Sequence, residues 1–189
     1  MPHALVLIAD GSEETEAVTT IDVLRRSEVS VTVAGLDGLE IEASRGVRLR
    51  ADACLDDVLG RDYDLVVLPG GKQGAERLRD DPRVVELLRR QHAAGRRIGA
   101  ICAAPIALVA AGILQGRQAT SYPGFLQHGE AELREEAVVV DGVITTSRGP
   151  ATAMAFALAL VEQLCGRAAR DENAERLLYT QTVQTAATG

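Results

Sequence analysis

Tryptophan is absent, and aromatic residues make up only 3% of the chain. A core without large rings must be filled by Ala, Val, Leu and Ile, which the sequence supplies in abundance. Cysteines are also few. Cys54, Cys102 and Cys165 are odd in number and widely spaced, which excludes a disulfide framework and any zinc-type spacing. A reducing compartment fits such usage. The first residues carry no basic stretch ahead of their apolar run and no signal-cleavage pattern. No apolar run approaches the about 20 residues of a membrane span. The expectation is a cytoplasmic protein without a membrane partner. Excess positive charge is missing as well: the net charge is -7, which disfavours a general nucleic-acid or anionic-membrane surface. No G-x-G-x-x-G or G-x-x-x-x-G-K-[ST] pattern follows a strand, so dinucleotide and P-loop phosphate sites are not indicated.

What remains is ordinary globular material, 47% hydrophobic and 25% charged over 189 residues. That is enough for one domain spanning 1–189, with the small polar residues 180–189 expected as a loose tail. The apolar run 3–9 predicts a buried parallel strand. Residues 14–26 repeat apolar positions at helical spacing, and 29–34 predict a second strand. Residues 39–43 and 46–49 read as a small hairpin or an extended excursion, and 55–59 as a short helical turn. A third core strand, 63–68, runs into Pro69-Gly70-Gly71. Helices are expected over 74–79 and 82–94, with Pro82 at a first helical position and Gly95 as C-cap. A strand over 97–101 leads to a helix ending near Gly112. Short strands follow at 118–121, 137–141 and 143–146, the last two joined by an Asp141-Gly142 turn. Helices over 151–164 and 168–178 finish the pattern. Strands alternating with helices predict an open, doubly wound α/β fold.

Ligands in such folds sit at the carboxyl ends of strands. Three ends qualify: residues 10–16, Pro69-Gly70-Gly71, and Cys102-Ala103. At the last, a strand ends on a cysteine, small residues follow and a helix begins, which is the logic of a nucleophile elbow. A helix N-terminus aimed at the sulfur would favour the thiolate. A buried cysteine that merely fills core fits the same residues. Glu13, Glu14 and Glu16 either complement the dipole of the first helix or include one that turns inward to hold a proton beside sulfur. His3, His92 and His128 read as solvated surface histidines, and no Ser-His-Asp order can be assembled. Cys54 and Cys165 read as small fillers.

Five stretches then stand together: Gly11 to Asp22, Ser44-Arg45-Gly46-Val47, Leu68-Pro69-Gly70-Gly71, Ala100 to Pro105, and Thr146 to Pro150. In this order they resemble the DJ-1/PfpI (ThiJ-like) superfamily, and especially its bacterial YajL branch. The resemblance implies a flavodoxin-like sandwich, a homodimer and no cofactor or metal. It implies Cys102 as nucleophile, Glu16 as the proton-bearing glutamate at the sulfur, and backbone N–H groups of Gly71 and Ala103 as an oxyanion-hole-like pair. Gly70, Arg45, Tyr122, Arg148, Gly149 and Pro150 would line the pocket or its dimer edge, with Arg26 a further candidate there. Tyr122 stands where some members carry a histidine, so a Cys-His pair is missing unless His128 substitutes.

The implied function is detoxification of reactive dicarbonyls. It would proceed by glyoxalase-type hydration of glyoxal and methylglyoxal or by deglycation of protein and nucleotide adducts. The alternative is a redox sensor and chaperone that acts through Cys102 oxidation on misfolded or oxidised clients. A metabolic hydrolase of unknown substrate is the bland third reading, and a cysteine protease lacks a positioned histidine.

Overall fold

The computed structural model describes residues 1–179; the expected tail, 180–189, lies outside the described residues. In chain order the elements are β1 (His3–Ile8), α1 (Glu14–Arg26), β2 (Ser30–Gly35), β3 (Glu40–Glu42), β4 (Arg48–Arg50), β5 (Ala53–Cys54), β6 (Leu65–Leu68), α2 (Lys72–Asp80), α3 (Pro82–Ala93), β7 (Arg97–Ile101), α4 (Pro105–Ala110), β8 (Gln118–Ala119), β9 (Glu132–Leu133), β10 (Val138–Asp141), β11 (Ile144–Ser147), α5 (Ala153–Cys165) and α6 (Arg167–Arg176). Short 3-10 turns occupy Leu55–Asp57 and Pro150–Thr152.

Seven strands form one sheet in the order β10-β11-β7-β6-β1-β2-β5. Every pairing in it is parallel except the β10–β11 hairpin at one edge. β1 and β6 are almost wholly buried, because successive side chains point to opposite faces and both faces are covered. Leu5, Leu7, Val66, Leu68 and Ile98 pack with Leu87, Leu88 and Leu108 of α3 and α4. On the other face, Ala4, Val6, Ile8, Leu65 and Val67 pack with α1 and α5 through Val23, Leu24, Phe156 and Val161. This is the doubly wound, flavodoxin-like α/β fold that the alternation of strands and helices predicts. Among the described residues no helix is long and apolar enough to cross a membrane.

The periodic elements lie where the pattern puts them. α1 spans residues 14–26, and of the hairpin and the extended excursion the structure has the hairpin, the antiparallel β3–β4 pair. Asp81 caps α3 by accepting from the Arg83 N–H at 2.8 Å, with Pro82 in the first turn. The short elements differ. β5 and β9 are two residues each, too short to carry an alternation. α2 begins at Lys72, directly out of the Gly71 turn, rather than at Gly74. His3 is not a solvated histidine: its Nε2 lies 2.9 Å from Thr32 Oγ1 and its ring stands edge-on to Tyr63, with centroids 4.8 Å apart. His92 is half-buried, with Nε2 3.2 Å from Arg117 Nη2. Cys54 and Cys165 are free and half-buried.

The topology has one direct consequence for function. β1, β6 and β7 are adjacent, so the three candidate strand ends converge at one edge of the sheet. Backbone hydrogen bonds lock them there. Glu13 N–H donates to Gly70 O at 2.9 Å, Ser44 N–H to Ser12 O at 2.8 Å, and Cys102 N–H to Ser147 O at 2.9 Å.

Candidate active site

Cys102 follows β7 in a left-handed backbone conformation, φ 64°. A residue with a Cβ adopts this region at a cost of about 1–2 kcal/mol, and the surrounding bonds hold it there. Besides the bond to Ser147, its carbonyl accepts from the Tyr122 N–H at 2.9 Å. The side chain is 9% exposed and forms part of the floor of a cleft of about 400 Å³. Gly71, Ala103, Arg45, Tyr122 and Pro150 line the same cleft.

The three glutamates at the start of α1 divide their roles. Glu13 is the N-cap, its Oε2 accepting from the Glu16 N–H at 2.7 Å. Glu14 accepts from Ser44 Oγ at 2.8 Å and from the Arg45 N–H at 2.9 Å. Burial works to raise its carboxyl pKa, but these bonds outweigh it and hold Glu14 below the usual range. Glu16 alone turns fully inward, with no exposed surface. Its Oε2 accepts from the Gly70 N–H at 2.7 Å. Its Oε1 is buried without a hydrogen-bond partner among the described residues.

Gly70 is where backbone, thiol and carboxyl meet. A Cβ there would stand 2.5 Å from Cys102 Cβ, 2.7 Å from Glu16 Oε2 and 2.9 Å from Ile101 O. Gly71 follows at φ 83°, and a Cβ on it would come within 2.2 Å of Gly11 O. Only glycine at both positions lets β6 turn tightly enough to present the Gly71 N–H to the sulfur.

The electrostatics differ from a simple activated thiol. Burial pushes the Cys102 thiol up to about 12, and an ionised Glu16 adds to that rise. Backbone N–H groups of Gly71 and Ala103 bond the sulfur and oppose the rise. Burial likewise raises Glu16 to about 7, against the lowering effect of the Gly70 N–H and the thiol; the charge of Glu13 raises it further. Two acids in one dry space do not both ionise, so near neutrality the pair holds at least one proton. The expected lowering by a helix dipole is not what acts on the sulfur. α4 is only six residues long and starts at Pro105, beyond Ala104. The nearest donors are Ala103 of the elbow itself and Gly71 from the neighbouring strand end.

The remaining candidates separate. Arg45 is exposed at the cleft, with its backbone fixed by Glu14. Tyr122 is 49% exposed and meets Phe125 edge-on, ring centroids 6.2 Å apart. Arg148 is half-buried and donates from Nη1 to Glu135 O at 2.9 Å. Gly149 is buried, with room beside Tyr122. Arg26 is not a pocket residue: it lies at the far end of α1, paired with Asp22 at 2.7 Å. His128 is exposed in a loop and does not line the cleft, so it takes no histidine role there. Among the described residues no group of three or more His, Cys, Asp or Glu could hold a metal ion.

Sequence reasoning missed the clamp that Glu14 makes on residues 44 and 45. Its signal was present as a third glutamate in a helix start that needs only one cap. Phe125 was also missed, although it follows Tyr122 by three residues.

Comparison with known proteins places the chain in a family and matches its fold. Residues 2–163 match the model of the DJ-1/PfpI family. Protein DJ-1 homolog B of Arabidopsis thaliana is 46% identical over 88% of this chain, which spans only 39% of that protein's length. The glutathione-independent glyoxalase DJR-1.2 of Caenorhabditis elegans is 37% identical, covering 86% of this chain and 89% of that one. The crystal structure of Drosophila melanogaster DJ-1beta superposes with a TM-score of 0.92 at 41% identity, covering 95% of this chain and 98% of that one. With its family-model match spanning most of its length, the chain belongs to the DJ-1/PfpI family.

Proposed function

We propose that this protein is a cofactor-free, cysteine-dependent enzyme that detoxifies reactive dicarbonyls and their adducts. One observation carries the proposal: a thiol on the floor of an open cleft lies between two backbone N–H donors and a buried carboxyl that exchanges its proton near neutrality. The glyoxalase name of the Caenorhabditis elegans relative supports the substrate class.

The chemistry runs as follows. The Glu16 carboxylate takes the proton of the Cys102 thiol as the sulfur adds to the aldehyde carbon of methylglyoxal, forming a C–S bond and an oxyanion. Gly71 and Ala103 N–H groups, released from the sulfur as its charge leaves, stabilise that oxyanion, and Glu16 protonates it to a hemithioacetal. Moving the former aldehyde hydrogen to the adjacent carbon, with Glu16 carrying the proton, gives a thioester of lactate. Water cleaves the thioester, releasing lactate and restoring the thiol. Glyoxal gives glycolate by the same steps. Adducts on protein or nucleotide amines enter as hemiaminals, whose amine then leaves. Methylglyoxal consumption with lactate formation tests the reading. Turnover by Cys102→Ala at the wild-type rate would sink it.

A second reading draws on Glu16 Oε1, buried without a partner beside the thiol. Oxidised to a sulfinate, Cys102 would accept a short bond from the protonated Glu16, and the protein would act as a redox sensor and chaperone. Mild peroxide followed by intact-mass measurement distinguishes it, by a two-oxygen gain confined to Cys102. The proposal extends to a homodimer, to which the half-exposed Val18 and Val47 fit as an apolar contact, to a cytoplasmic setting, and to affinity with the YajL-type branch that shares the missing histidine. Sedimentation at micromolar concentration tests the dimer.

A further inference from the structure

The chain has a single lysine, Lys72, among 20 basic side chains that are otherwise all arginine. It is the first residue of α2, directly after Gly71, and it lines the cleft above Cys102. Arg45 lines the same cleft from the β3–β4 side. Both are exposed, and among the described residues neither has an ion-pair or side-chain hydrogen-bond partner.

These two unpaired cations share one cleft in a chain of net charge -7. Most of the arginines are taken up in ion pairs with carboxylates, as Arg25 is with Asp52 and Arg83 with Asp56 and Asp81. Of the negative groups near the cleft, Glu13 alone shares its lining with Lys72 and Arg45. Glu13 is turned onto the start of α1, and Glu14 is held by Ser44 and the Arg45 N–H. Glu16 lies beneath the thiol, buried and sharing its proton with it. Two cations, Lys72 and Arg45, therefore stand against the single carboxylate of Glu13 in the cleft wall, which is net cationic although the protein is acidic.

The geometry points to Lys72, with Arg45, as a charge filter that selects electrophiles bearing a carboxylate or phosphate next to the carbonyl that Cys102 attacks. The inference rests on Cys102 as the nucleophile and deepens the proposed function by naming the substrate class: anionic 2-oxo or aldehyde compounds ahead of neutral ones. Lys72 has the compact, mobile charge suited to a substrate group that differs in size from one molecule to the next. Arg45, its backbone fixed, supplies the directional contact.

The test is the rate of Cys102 alkylation by two reagents of like size and opposite character, iodoacetate and iodoacetamide. In each, the thiolate displaces iodide. The ratio of the two rate constants cancels any general change in thiol reactivity or folding. We expect Lys72→Gln to lower the iodoacetate-to-iodoacetamide ratio about threefold and Lys72→Glu to lower it further, as a unit charge within reach of the sulfur would. Lys72→Arg should restore it, and raising salt should erode the wild-type ratio. A ratio that is the same in wild type and Lys72→Glu overturns the inference. Methylglyoxal turnover by the wild type is measured in parallel. If turnover is absent while the ratio shifts, the glyoxalase reading fails and the filter stands. If turnover is present and the ratio does not shift, the filter alone fails.

Discussion

The Gly70 N–H and Glu16 Oε2 are 2.7 Å apart, and that bond crosses from the end of β6 to the first turn of α1. It fixes the carboxyl that faces the thiol, and it exists only because residue 70 lacks a side chain.

Gly70→Ala should therefore damage fold and site together. The added methyl meets Cys102 Cβ at 2.5 Å and Ile101 O at 2.9 Å, and neither can move without shifting β7. We expect a loss of about 1–3 kcal/mol in denaturant unfolding, with methylglyoxal turnover falling in parallel. A variant as stable and active as the wild type would contradict the packing described.

Glu16→Gln removes the proton carrier while keeping the shape. Turnover should drop about 100-fold. Stability should respond to pH in a defined direction. The folded pKa of Glu16, about 7, lies above its ordinary value of 4.5. Its neutral form thus favours folding fully below about 4.5, and that contribution is lost as pH rises to about 7. Relative to Glu16→Gln, the wild type should lose about 3 kcal/mol across this window. Chemical denaturation of both proteins at pH 4.5 and 8 reads the difference.

The alkylation profile of Cys102 should show the pair rather than one thiol. In the wild type, the iodoacetamide rate should rise through pH about 7, where the pair releases its first proton, and rise again at much higher pH. Glu16→Gln should lose the neutral inflection and titrate as a single thiol below about 12, because the carboxylate that raises it is gone. Two superimposable profiles would show that carboxyl and thiol are uncoupled.

Tyr122→His returns an imidazole to the cleft wall. The Tyr122 backbone is already bonded to the Cys102 carbonyl, and its side chain is half exposed, so the substitution fits without repacking. A protonated histidine there should raise the alkylation rate at pH 6 severalfold by favouring the thiolate. An unchanged rate would mean that the side chain at 122 does not reach the sulfur.

Glu14→Gln weakens the clamp on Ser44 and Arg45. Hydrogen bonds to a charged acceptor are at stake, so about 1–2 kcal/mol should be lost at neutral pH. The folded pKa of Glu14 is depressed, so the wild-type advantage should be present above about 4.5 and disappear as acid protonates the folded carboxylate. Faster amide exchange at residues 43–47 in the variant would locate the effect.

Much of this was legible in the chain itself, and the reason is burial. β1 and β6 read as continuous apolar runs because helices cover both faces, and α1 read to the residue because its apolar stripe and its caps agree. Adjacency of the three strand ends was not legible, since strand order depends on long-range pairing. The role of Gly70 was equally hidden, because a close approach leaves no pattern along the sequence. Arg26 went astray for a plain geometric reason: 12 residues along a helix is about 18 Å, which carries it away from the elbow. The thiol went astray because a nearby helix start suggests a dipole, whereas burial and the neighbouring carboxyl outweigh it.

The left-handed backbone of Cys102 has an evolutionary corollary. A residue with a Cβ sits uneasily at φ 64°, and glycine would rest there without strain. A heat-survival screen run without substrate should therefore drift from cysteine toward glycine at this position. A screen on turnover should hold the cysteine and gather its stabilising changes elsewhere. Where a library settles at residue 102 would report which of the two pressures it had met.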